Sequence, residues 1–176
     1  REIEGVIDHL QAVSEQTELS VTERLTKMYS STAQWKIAKK KAVLPAVSMF
    51  YDDRNIVLRE KLNSQALQGA YPIYAKLIEE GNRLGEFPNP FPYPDVAAKL
   101  ILGMGLAMGE EMAGDFNAVQ EHPEKIEKIT RHMKGLEYAF QRILGVDDGS
   151  FQLYRYDLLE QMIKEKFEGE KGDTDR

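Results

Sequence analysis

The chain contains no cysteine, which removes disulfides, thiolate metal sites and cysteine nucleophiles, and makes a reducing cytosol the expected compartment. It has no run of about 18 apolar residues, so no segment reads as membrane-spanning. Positive charge is in short supply. The 23 Lys and Arg are outnumbered by 29 Asp and Glu, leaving a formal net charge of −6, and a chain of that balance does not grip nucleic acid by bulk charge. There is no Gly-rich phosphate loop, no Gly-x-Ser-x-Gly elbow and no paired metal-ligand spacing, so the expectation is a non-enzyme without metal or cofactor. The Glu-x-x-His pair of di-iron bundles is missing as well. The residues three before His9, His122 and His132 are Val6, Val119 and Ile129. The chain opens Arg-Glu-Ile-Glu, with neither an initiator Met nor a signal segment, and a trimmed N-terminus is the expectation.

What is present is the composition of a globular protein: 176 residues, 42% hydrophobic and 30% charged, enough for one domain with its own core. The periodicity is helical almost throughout, and no alternating strand is found. Ile3, Val6, Leu10 and Val13 mark a first helix, running from Arg1 to about Gln16. Ser20-Val-Thr-Glu23 has the form of a capping box that starts a second. Residues 33–43 read as a short third helix, and Pro45 can open a fourth. A long helix is predicted from Asp53 or Asn55 to Leu84, kinked or split at Pro72 and stopped at Gly85, with Phe87 folding back on it. Four of the seven prolines fall in residues 88–94, an extended connector. Helices at 95–116 and 123–144 follow, then a turn at Gly145–Gly149, a last helix at 154–167, and a flexible tail at 168–176.

Two of these helices do not look like those of a monomer. Ile126, Ile129, Met133, Leu136, Phe140 and Ile143 form an a/d seam over three heptads, opposite Lys125, Lys128, Arg131, Lys134 and Arg142. Val96 to Gly109 carries one charge, Lys99, in fourteen residues and is apolar nearly all round. Gly103, Gly105 and Gly109 each cost about 1 kcal/mol of helix propensity. Close approach of a neighbouring helix offsets such a cost, and Leu100 and the seam are therefore assigned to a homodimer made of two helices from each chain. A large single-chain core that tolerates glycine is the alternative.

The segment Ile78-Glu-Glu-Gly-Asn-Arg-Leu-Gly-Glu-Phe87, followed by a loop and an Ala97-Ala98 helix with glycines, resembles the C-terminal portion of TetR-type transcriptional regulators. Asp53 to Leu62 is similar to the start of that family's long central helix. The resemblance covers about residues 20–145. It implies an all-α, multi-helix orthogonal bundle that senses a small molecule and dimerises through its last two long helices, here 95–144. It also implies an N-terminal helix-turn-helix that binds operator DNA. No helix-turn-helix is found in this chain; residues 1–16 match the helix joining the two parts, so operator contact is expected only through a segment absent here. Residues 1–167 are then one ligand-sensing and dimerisation domain.

Met and aromatic residues concentrate on the helices that would surround a central cavity, and suit a variable, largely apolar ligand. Trp35, Phe50, Tyr74, Met104 and Met108 are the ligand-binding candidates; ordinary core packing is the competing reading for each. Glu110-Glu111 reads as a charged lid, a cation-binding pair or the end of an apolar stretch, and Lys36 to Lys41 as a DNA-proximal patch or a solvated helix face. A structural or adaptor helical dimer without ligand is the alternative function.

Overall fold

The structure, a computed structural model, describes residues 2–38, 53–119, 121–154 and 156. Among these every regular element is helical: α1 (Glu2–Ser14), α2 (Val21–Ala38), a 3-10 turn (Asp53–Asn55), α3 (Ile56–Leu84), α4 (Pro94–Ala118) and α5 (Lys125–Leu144). The all-α expectation holds. Residues 33–38 continue α2 instead of forming a helix of their own. The expected helix at Pro45, most of that at 154–167, and the tail lie outside the described residues.

The capping box forms as its sequence predicts. The Ser20 amide donates to Glu23 Oε2 at 2.8 Å, and the Glu23 amide to Ser20 Oγ at 3.2 Å. A second carboxylate reaches the same helix start from far along the chain: Glu86 accepts from the amides of Val21 and Thr22. Negative charge there is favoured by the helix dipole. α3 passes unbroken through Pro72, so the expected split does not occur. It ends at Gly85, φ 73°, with the Glu86 amide returning to the Gly81 carbonyl at 3.0 Å. Phe87 folds back under that last turn, and a Cβ on Gly81 would run into its ring. This is the physical content of the Gly-x-x-x-Gly-x-Phe spacing: one glycine makes room, the other turns the chain.

α3 packs on α1, α2 and α4, and α4 on α5. Ile7 of α1 sits so close to Gly69 that a Cβ there would lie 2.7 Å from its Cδ1. Arg24, only 3% exposed, ties three helices together. It donates to the Ser14 carbonyl at 2.9 Å and to both carboxylate oxygens of Glu80 at 2.6 and 3.3 Å. α4 and α5 are antiparallel, because Asp115 meets Lys125 while Glu111, one turn earlier, meets Lys128.

Most of the α5 seam is covered within the chain itself. Ile129, Met133, Leu136 and Phe140 are buried by their own chain, and Ile126 and Ile143 are partly buried against the same clusters. A side chain already dry in the monomer has almost no surface left to bury against a second copy. The large apolar side chains that stay open on this hairpin are Val96 and Leu100 of α4, 39% and 43% exposed, and Tyr138 of α5. No helix among the described residues is long and apolar enough to cross a membrane.

Candidate functional site

An apolar hollow lies where α2, α3, α4 and α5 converge. Its walls follow the periodicity of each element. Leu25 and Tyr29 stand one turn apart on α2, and Phe140 and Leu144 one turn apart on α5; Tyr74 of α3 and Ile101 of α4 complete the helical wall. The last side is not helical. Residues 151–154 run extended, and Phe151 and Leu153, two apart, turn the same face to the hollow. The space is about 10 Å³, roughly what one water molecule needs.

Two tyrosines, Tyr29 and Tyr74, stand in this almost wholly apolar wall, and a third, Tyr154, lies beside Tyr29. The Tyr29 ring meets Phe140 and Tyr154 edge-on, at centroid distances of 5.5 and 5.7 Å, and the Tyr29 and Tyr154 hydroxyls are 2.9 Å apart. The Tyr74 hydroxyl, on a side chain almost wholly buried, has no hydrogen-bond partner among the described residues. Burial pushes the pKa of all three above the ordinary 10, so each presents a neutral O–H.

The extended strap is held by two side chains one turn apart on α5. Glu137 Oε1 accepts from the amides of Leu153 and Tyr154 at 2.8 and 3.1 Å, and its Oε2 accepts from the Tyr156 hydroxyl at 2.7 Å. Gln141 donates to the Phe151 carbonyl at 3.1 Å and accepts from the Gly149 amide at 3.0 Å. The sequence reading placed a helix start at Tyr154 and missed this strap. The usable signal was the alternation of Phe151 and Leu153 after a Gly-containing turn.

At the other end of the α4–α5 hairpin, Asp115 is buried and bonded to Lys125, and Lys128 lies 2.9 Å from an oxygen of both Asp115 and Glu111. These bonds hold both carboxyl groups below their ordinary pKa. His132 faces the same group, 3.9 Å from Glu111, and is half-buried instead of lying in solvent. Ligand atoms of Glu111, Asp115 and His132 fall within 4.8 Å of one another, a spacing that could hold a cation. The Lys128 ammonium already serves both carboxylates, and the arrangement acts as a clamp between helices. Glu110 points elsewhere, to Arg59 and Asn63, so the two adjacent glutamates do not form one unit.

Of the ligand-binding candidates, Tyr74 lines the hollow. Met104 and Met108 pack on the main core, half-buried, but not on the hollow's wall. Phe50 lies outside the described residues, as do the side chains of Trp35 and of the Lys36–Lys41 run. The wall residues that sequence reasoning did not single out, Leu25, Ile101, Leu144, Phe151 and Leu153, are apolar residues indistinguishable from core until distant elements meet. No protein-family model, curated protein or solved structure matches the chain.

Proposed function

We propose that this chain is the effector-sensing and dimerisation portion of a TetR-type transcriptional regulator, an orthogonal helical bundle whose operator-binding helix-turn-helix lies outside it. The observation that carries the reading is the apolar hollow whose wall includes Tyr29 and Tyr74, placed at the junction of four helices, the kind of place where small-molecule sites form. Its α2 wall is mechanically connected. Leu25 faces the hollow, and its neighbour Arg24 grips the end of α1 and Glu80 of α3. A ligand that shifts α2 therefore shifts α1, the lever towards the reading heads. It does so only to the extent that it binds one state of the dimer better than the other.

The pairing face that suits this reading is the outside of α4. A second copy packed there would cover Val96 and Leu100, and Gly103, with nothing within 4 Å of its Cβ position, would permit close approach. A thermal-shift panel of neutral apolar compounds and lipophilic cations, run with sedimentation of the same protein, tests the proposal. A dimer with at least one stabilising compound supports it; a monomer indifferent to every compound overturns it. The small size of the hollow favours a second reading, a ligand-free adaptor dimer, which predicts dimerisation with no stabilising compound.

A further inference from the structure

The hollow as it stands admits about one water, so anything larger must displace a wall. The walls are not equally fixed. All five pack side chains into the core, Phe151 and Leu153 included, but four are helices, each also held by its own backbone ladder. The fifth, residues 151–154, is extended, and among the described residues its backbone bonds go to two side chains, Glu137 and Gln141. A third contact, Tyr154 to Tyr29, joins it to α2. It is the wall that can leave without unwinding a helix.

We infer that this strap is a built-in plug. Phe151 and Leu153 occupy a binding chamber for an uncharged apolar molecule that carries a hydrogen-bond acceptor oxygen, and the ligand enters by replacing them. The chemistry of the chamber sets the ligand class. Tyr74, 4% exposed and lining the hollow, offers an O–H with no partner among the described residues. Withdrawal of the strap takes Tyr154 with it and frees the Tyr29 hydroxyl as a second donor. The remaining wall is hydrocarbon, with Leu25, Ile101, Phe140 and Leu144 left in place once the strap withdraws. A carboxylate, phosphate or ammonium would be buried there without a counter-charge, whereas a ketone or ether oxygen would satisfy donors that are otherwise unspent. This deepens the sensor reading but does not need it: the chamber binds or fails to bind whether or not the protein regulates a gene.

Prodan, a neutral naphthalene with one ketone, is the probe, and the similarly sized anion anilinonaphthalene sulfonate is its charged comparison. Wild-type protein binds Prodan weakly. Phe151→Ala tightens binding about tenfold or more, with a blue-shifted emission, because the plug no longer competes. Adding Tyr74→Phe to that variant weakens binding about three- to tenfold. Glu137→Ala leaves Phe151 and Leu153 intact while removing the strap's main anchor. It raises Prodan affinity and speeds amide exchange at Leu153 and Tyr154, and it decides the matter if Phe151→Ala does not fold. Prodan binding equal to wild type in natively folded Glu137→Ala overturns the plug. Equal binding of the anion, or no effect of Tyr74→Phe, overturns the ligand class. Loss of dimerisation with Prodan binding retained would sink the regulator reading and leave this one standing.

Discussion

At Gly145 the backbone sits at φ 68°, and an added Cβ would drive into the carbonyl of Asn89 on the connector ahead of α4. Left-handed strain and a clash with backbone act together, so Gly145→Ala is expected to cost about 2–4 kcal/mol, read as a lower denaturation midpoint. Gly103, in mid-helix at φ below zero, has nothing within 4 Å of where its Cβ would be. Gly103→Ala therefore stabilises the chain by about 0.5–1 kcal/mol in the same experiment. Arg24 is the third residue whose role is fixed by its neighbours. Arg24→Ala leaves Glu80 without its bidentate partner and the Ser14 carbonyl without its donor, an expected loss of about 2–3 kcal/mol in denaturant unfolding. Neither the close approach of Gly145 to Asn89 nor the Arg24 bridge was legible in the sequence, because each depends on a residue at least ten positions away. Tyr74 was legible, because a polar aromatic midway along a long amphipathic helix has few places to point.

Elements written in local chemistry were read correctly. The capping box at Ser20, the stop at Gly85 with Phe87 behind it, and the proline connector each need only neighbours within a few residues. The strap failed for the opposite reason. Its extended shape is imposed by Glu137, sixteen residues before Leu153, while its own residues carry no strand signal long enough to notice. The Ile126 to Ile143 seam was found, but periodicity tells which face is dry and not which chain covers it. How the helices hold together also sets their response to acid. Glu80 is held below its ordinary pKa by Arg24, Asp115 by Lys125 and Lys128, and Glu111 by Lys128. For a carboxyl group whose folded pKa lies below its unfolded value of about 4, the contribution to stability is complete above that value. It is lost as pH falls through the folded one. The melting temperature should therefore fall between about pH 5 and about pH 3. In Asp115→Asn it starts lower at neutral pH and falls less steeply, because one of the titrating contacts is already gone. An equal slope in the variant would mean that the α4–α5 clamp plays no part in acid unfolding.

At the scale of the whole molecule the proposed dimer needs a face that its own chain leaves open. The outside of α4 combines two exposed apolar side chains with Gly103, which has nothing within 4 Å of its Cβ position. A twofold contact requires that one patch complement itself, and this helix also carries opposite charges in Lys99 and Glu111. Leu100→Glu would put a carboxylate into such a contact from both sides at once, where it is desolvated without an opposite charge set for it. Sedimentation should then shift from twice the chain mass to the 20.1 kDa of one chain, with helicity unchanged because Leu100 contributes little to the monomer's core. Lys99→Glu should weaken association more at low salt than at high, since its effect is screened within about 10 Å at 0.1 M salt. Gly103→Ala sharpens the test by acting in two directions: it strengthens the isolated helix yet pushes a paired backbone outward, so a chain that melts higher but dimerises less places the contact on this face. A Leu100→Glu protein that sediments as wild type would move the contact away from α4, and with it the route by which the ligand reading connects to dimer geometry.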